Sequence, residues 1–331
     1  MSEVAVIGFA ASDRSVTTSG VETLVPVFEQ ALDRAGLGRR EVDFWCSGSS
    51  DYLAGRAFSF VNAVDAIGAV PPIAESHVEM DAAWALYEAY LKILAGEAET
   101  ALVYGFGKAT AGDVHRVLAL QLDPYTVAPL WPDAVSVAAL QARIGIAAGL
   151  FTERDMAEVA ARDSGGSAEE LLGHPYLADP LRAHDVARVT DGAAAVVLAG
   201  GERASRHRER PAWITGIAHR IDPQGLGERD LTTVPSASAA ARDAGLDHDV
   251  DVVALHAPFT HQELLLRHAL GITGSSRFIG TDGDAMFSAG LSRIGAAAEE
   301  IMSGRAERAA AHATSGPALQ QNLICVLGRD R

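Results

Sequence analysis

The chain has 331 residues, with 27 Lys and Arg against 43 Asp and Glu, giving a formal charge of −16. That balance excludes nucleic acid or an anionic membrane face as the main partner, because either would repel it. With 48% hydrophobic and 21% charged residues the chain can fill a large core, and two cysteines, Cys46 and Cys325, exclude a disulfide framework and any four-thiolate zinc site.

The length suits two domains, or one large domain built from two halves. The N-terminus, from Met1 to Val4, lacks the basic and apolar regions of a secretory signal. No apolar run approaches the roughly 18 residues of a membrane span, so a cytoplasmic protein without membrane insertion is expected. The run from Val4 to Gly8 reads as a strand, and a helix is expected over 21–35, stopping at Gly36. Residues 41–45 then lead into a polar loop over 47–50. The helix expected over 82–95 carries only two charges, Glu88 and Lys92, four apart on one ridge. A helix apolar on nearly every side belongs in the interior. Gly96 ends it, and a buried strand follows over 100–104.

From 107 to 182 the character changes. Pro124, Pro129, Pro132, Pro175 and Pro180 punctuate helices over 136–150 and 152–162, which marks an excursion from the main fold. A strand returns over 193–198. The stretch 200–211, with Arg203, Arg206, Arg208 and Arg210, reads as a solvated connector rather than a phosphate site. Beyond it a strand is expected over 249–256, and Thr260 with Glu263 forms a capping box for the helix ending at Leu270.

The sequence GEAETA beginning at Gly96 is echoed by GRAERA beginning at Gly304, each between a helix and a short strand. Two copies of an α/β unit, each with a buried helix, point to a layered αβαβα sandwich with an internal pseudo-repeat. Strand–helix alternation by itself leaves a doubly wound nucleotide-binding fold open. Gly105, Gly107 and Lys108 imitate a phosphate loop, but its first glycine is missing and Ala109 stands where a hydroxyl would bind magnesium. No G-x-G-x-x-G follows Gly8, and G-x-S-x-G, H-E-x-x-H and C-x-x-C are absent. His256, His261 and His268 lack partners at metal-ligand spacing, so no metal is expected.

The segments ADPLR (178–182) and DGAAAVVL (191–198) together resemble the thiolase superfamily. More narrowly they are similar to sterol-carrier-protein-type thiolases and their bacterial lipid-transfer-protein relatives, and the similarity extends through 36–45, 96–99, 252–263 and 290–301. The resemblance implies a five-layer αβαβα sandwich of two pseudo-repeated halves, 1–205 with the excursion at about 107–182, and 211–331. It also implies an acyl-CoA ligand, with CoA entering as part of the substrate and no tightly bound cofactor.

Departures from that pattern decide the expected reaction. The relatives place a nucleophilic cysteine at the start of the buried helix, and counting back without gaps from Gly96 sets Glu79 there. A carboxylate cannot form the transferable thioester that a helix-activated thiolate forms. His256, in VALHAPF (253–259), matches the histidine that helps bind the thioester oxygen. A third motif is shortened to 283–286, so that Asp284 replaces the general-base histidine, and a fourth, 312–317 from His312, has no cysteine.

Relatives without the cysteine are similar to subunits that shorten steroid side chains by retro-aldol cleavage of a β-hydroxyacyl-CoA. Such a reaction needs a base and enolate stabilisation but no acyl-enzyme. The resemblance then implies Glu79 as base with Asp284 as alternate, His256 orienting water or the thioester oxygen, and Trp131, Phe58 and Phe60 as apolar walls. It further implies a heteromer with a second thiolase-like subunit, an OB-fold partner, or both. Two alternatives stay open: a non-catalytic scaffold subunit, favoured by the lack of any Tyr after Tyr176, and an acyl-CoA-binding lipid-transfer protein.

Overall fold

A computed structural model of the chain describes residues 3–12, 20–51, 59–246, 250–272, 275–280 and 283–330. Its first half contributes strands β1 (Val4–Ala11), β2 (Phe44–Gly48), β3 (Ala74–Val78), β4 (Thr100–Gly107) and, beyond a small hairpin of β5 (Tyr176–Ala178) and β6 (Leu181–Arg182), β7 (Gly192–Gly200). The second contributes β8 (Ala212–Ile221), β9 (Val252–Ala254), β10 (Arg277–Phe278), β11 (Arg308–Ser315) and β12 (Gln321–Gly328). Ten of these strands form one sheet in the order β10-β9-β11-β12-β8-β1-β7-β4-β2-β3.

Cut between β8 and β1, that order is the same five-strand pattern twice. In each half the second strand runs parallel to its two neighbours, while the last pairs antiparallel with both of its own. The halves are joined by antiparallel pairing of Ala5 with Trp213 and Val6 with Ala212. The internal echo read from the sequence marks one corner of this repeat: Gly96 and Gly304 turn at φ 76 and 77 into β4 and β11. Asp43 accepts from the backbone N–H of Glu99 and Thr100, and Asp251 accepts from Glu307 and Arg308 in the same way.

The helices fill three layers. Between the halves lie α3 (Ala82–Leu94) and α11 (Ala289–Met302), where Leu86, Ile93, Leu291 and Ile294 share one core with Val103, Val196, Leu323 and Leu327. Each such buried Leu or Ile contributes about 1.5–3 kcal/mol. Outside the first half, α1 (Gly20–Ala35) and α2 (Ser59–Ile67) cover Trp45 and Tyr104. Outside the second, α9 (Pro235–Asp243) and α10 (Thr260–Ala269) pack on Ile324 and Val326. The result is the expected five-layer αβαβα sandwich. The excursion supplies α4 (Val114–Leu120), α5 (Ala134–Ala147), α6 (Glu153–Ser164) and α7 (Ala168–Leu172), and α8 (Gly201–His207) lies in the connector.

Four local expectations are corrected. Ser47 and Gly48 are in strand rather than loop, because Ser47 is flanked in the sheet by His77 and Tyr104 and its hydroxyl reaches His77 Nδ1 at 2.9 Å. The strand expected over 249–256 is confined to Val252–Ala254 among the described residues. Thr260 and Glu263 do not form a capping box: Thr260 donates to Asp185 at 2.6 Å, and Glu263 pairs with Arg162 and Arg267. The arginine-rich connector is partly helical, with Arg203 on Glu99 and Arg210 on Glu307.

Candidate functional site

The starts of α3 and α11 meet where the two halves face one another. Asp81 is the N-cap of α3, its side chain accepting from Ala83 N at 2.8 Å, which satisfies a donor that a helix start leaves open. The same carboxylate accepts from Gly290 N at 2.7 Å and Leu291 N at 3.1 Å, in the first turn of α11. Burial pushes its pKa up to about 6, against the opposing pull of His256 and the three N–H donors.

His256 follows β9 and is tied to β11 by its backbone N–H, which donates to His312 O at 3.2 Å. Its ring lies between two partners. Thr314 N–H faces Nδ1 at 3.5 Å, and Asp284 Oδ2 faces Nε2 at 3.4 Å. A backbone N–H only donates, so Nδ1 is the accepting nitrogen and the proton sits on Nε2 towards Asp284. Asp284 is held from both sides: its backbone pairs with the 188–190 segment, and its Oδ1 accepts from Met286 N at 2.8 Å. Burial alone would raise the Asp284 carboxyl, but the His256 ring and the Arg293 guanidinium outweigh it and bring the pKa down to about 2. His256 and Asp284 are 5% and 7% exposed, which places the pair inside the protein.

The structure thus brings His256 and Asp284 together and leaves Glu79 apart. Glu79 lies two residues before the N-cap, so the carboxylate expected at the helix start is that of Asp81. The Glu79 side chain is 54% exposed, and its carboxylate meets His77 Nε2 at 3.4 Å. Cys46 and Cys325 lie within β2 and β12, both buried, and burial pushes both thiols up, Cys325 to about 12. Neither stands at the start of α3. His312 is buried on β11, where Nε2 donates to Asn322 Oδ1 at 2.8 Å and burial lowers its pKa to about 3.

A cavity of about 370 Å³ is lined by Leu255, Ala257 and Gly283, the chain neighbours of His256 and Asp284 rather than the pair itself, and by Arg293, Phe259 and Val159. Among the described residues no group of His, Cys, Asp and Glu is arranged to hold a metal ion, and no helix is long and apolar enough to cross a membrane. Trp131 is exposed at the end of a short turn, Phe60 stacks on His77, and Phe58 lies outside the described residues. Gly105 and Gly107 serve close packing rather than phosphate: a Cβ on either would come within 2.7 Å or less of the 285–287 backbone.

The residues missed from sequence are Asp81, Arg293 and Thr314. Asp81 had a local signal, an aspartate immediately before an apolar helix. The other two are recruited only by the fold.

No family model matches the chain. It is 28% identical over 134 residues to the acetyl-CoA acetyltransferase of Methanothermobacter thermautotrophicus, covering 39% of this chain and 34% of that protein. It is 31% identical over 112 residues to the benzoylsuccinyl-CoA thiolase subunit BbsB of Thauera aromatica, covering 32% and 29%. The chain therefore matches about a third of the length of these curated relatives. Among solved structures, the Ltp2-ChsH2(DUF35) aldolase superposes with a TM-score of 0.81 at 18% identity, over 99% of this chain and 98% of that one. The Bacillus anthracis acetyl-CoA acetyltransferase gives 0.80 at 17% identity, over 99% of each. Human mitochondrial 3-ketoacyl-CoA thiolase gives 0.77 at 16% identity, again over 99% of each. The chain has the thiolase fold.

Proposed function

We propose that the chain is a subunit of a heteromeric aldolase that cleaves a β-hydroxyacyl-CoA by a retro-aldol reaction, with CoA entering as part of the substrate. One observation carries this reading: at the paired starts of the two central helices stands the imidazole–carboxylate pair His256–Asp284, while both thiols are locked inside strands. A base is present there and, among the described residues, neither cysteine is.

In this reading the base is His256, not Glu79. Asp284 holds Nε2–H and fixes the tautomer, which leaves the Nδ1 lone pair for the proton of the β-hydroxyl. Its contact with Thr314 N, at 3.5 Å, is long enough for a substrate hydroxyl to displace. As His256 takes that proton, the carbonyl forms and the bond between the α and β carbons breaks. Its electron pair passes onto the thioester as an enolate, which takes the proton back from the His256 ring at the α carbon and returns the base to its neutral form. No bond to the protein forms at any stage. The cavity lined by the neighbours of the pair lies at the small end of the range for ligand pockets, about 300–1,000 Å³.

Likeness to a two-component aldolase and to a protein described as a thiolase subunit supports a heteromer. We assign the second component to another thiolase-like chain or an OB-fold protein. The steroid class of the acyl group rests on the segment resemblance alone. A second reading, a non-catalytic scaffold beside a catalytic thiolase-like chain, is favoured by one fact: His256, Asp284 and Asp81 are all closed in by partners from this chain.

Co-expression with candidate partners, followed by turnover of a β-hydroxyacyl-CoA, separates the two. His256→Ala and Asp284→Asn should each lower kcat by about 10²–10⁴-fold in the assembled complex. Unchanged turnover by the double variant rejects the aldolase role and leaves the scaffold.

A further inference from the structure

One pair of equivalent positions in the two halves carries residues of opposite character. Asp43 and Asp251 occupy matching places, and five residues beyond each stand Gly48 and His256. Gly48 has no side chain because α3 begins there: a Cβ would come within 2.5 Å of Ala82 N. This lack of bulk draws the start of α3 against the end of β2. Across the gap, a Cβ on Gly290 would come within 2.7 Å of Asp81 Oδ1. Gly48 thus makes room for the start of α3, and Gly290 for the Asp81 carboxylate and Ala313.

That carboxylate joins the central helices. Asp81 accepts from Ala83 N on its own helix and from Gly290 N and Leu291 N on the other. The turn Met286–Ser288 runs directly into α11, and Asp284 lies just before that turn. One side of the segment is fastened by pairing of Asp284 with Val189, and the other by Asp81. The carboxylate is buried, although it ends one helix and reaches across to a second. A helix cap alone needs neither burial nor a second helix, since an exposed Ser or Thr provides one. Burying a carboxylate for capping alone is a poor bargain.

We propose that Asp81 is a positioning residue for the His256–Asp284 pair: by pinning the start of α11 to the start of α3 it sets where Asp284 meets the His256 ring. The inference deepens the reading given above, because the base it positions is the one assigned there. Asp81 acts through Asp284 and needs no contact with substrate. Gly290 lies at the same contact: a Cβ there would press on Ala313 Cβ of β11 as well as on the Asp81 carboxylate.

The test reads the ring itself rather than turnover. Protein labelled with ¹⁵N in histidine reports which ring nitrogen carries the proton, and His256→Gln assigns the signal. The wild-type chain should show His256 protonated on Nε2 in one fixed form. In Asp81→Ala this pattern should be lost to an averaged one, and in Asp81→Asn, which keeps one acceptor, it should be partly restored. His312, held by Asn322 rather than Asp81, is the internal control and should not move.

If Asp81→Ala does not fold, Asp81→Ser tests the same device, because its one oxygen can still cap α3 but the second carboxylate oxygen that reaches α11 is gone, and loss of the His256 pattern is again expected. An unchanged His256 signal in a folded variant overturns the proposal. So does loss of the His256 and His312 patterns together, which marks Asp81 as a general structural residue. An absence of lyase turnover would reject the aldolase reading and leave this measurement unaffected.

Discussion

Replacing Asp284 with Asn tests the electrostatics of the site without reference to substrate. The Asp284 carboxyl is brought down from 3.8 to about 2 in the fold, where the attraction of His256 and Arg293 overcomes the cost of burial. A depression of that size corresponds to about 2 kcal/mol favouring the folded chain while the group is ionised. Because the folded pKa is the lower one, this contribution is fully present above about pH 4 and is lost as the pH falls towards 2. Urea unfolding between pH 2 and 7 should show the wild-type advantage over Asp284→Asn shrinking by about that amount across the window. Above pH 4 the variant should lie below the wild type, since it removes a buried anion beside Arg293 and the His256 ring. Parallel profiles for the two proteins down to pH 2 would refute the reasoning, because the carboxylate would then feel no net attraction in the fold.

Asp81 should behave with the opposite sign. Its carboxyl is raised from 3.8 to about 6, so the unfolded chain releases its proton first, and stability falls by about 3 kcal/mol as the pH rises from 4 to 6. Asp81→Asn should flatten that limb in the same unfolding series, and an unchanged limb would contradict the assignment. Gly48→Ala forces a methyl group against the start of α3 and should cost about 1–3 kcal/mol in thermal or urea unfolding; a neutral result would mean the helix start yields freely. Neither Cys46 nor Cys325 should react with a chromogenic disulfide reagent in the native chain, while both should react in denaturant. Rapid native labelling of either would show a thiol open to chemistry.

How much of this was legible depended on whether the cause was local. The helix over 82–95 and the turn at Gly96 were readable because an all-round apolar surface and a terminating glycine act within one segment. The echo at Gly304 was readable for the same reason, and it led to the layered fold. Ser47 and Gly48 were misread as loop because a serine and a glycine signal a turn, whereas here each answers to a neighbour, His77 and Ala82. Thr260 and Glu263 have the spacing of a capping box, but Asp185 and two arginines outbid the helix end for them.

Within the site, His256 and Asp284 were picked out by resemblance, and the fold brings them together across 28 residues of sequence. A gap-free count led to Glu79, which sits on the surface. The aspartate two residues later carries the helix-start signal. Arg293 and Thr314 gave no sign in sequence, because an arginine in a helix and a threonine in a strand become site residues only through what packs against them.

The central claim is that this site handles a carbon–carbon bond without an acyl group ever joined to the protein. Intact-mass analysis of the assembled complex during turnover of a β-hydroxyacyl-CoA tests it most directly. The account predicts an unmodified mass for this chain throughout, with a carbonyl product and a shortened acyl-CoA released together. An acyl adduct that maps to Cys46 or Cys325, and is lost when that cysteine is changed to serine, would contradict it.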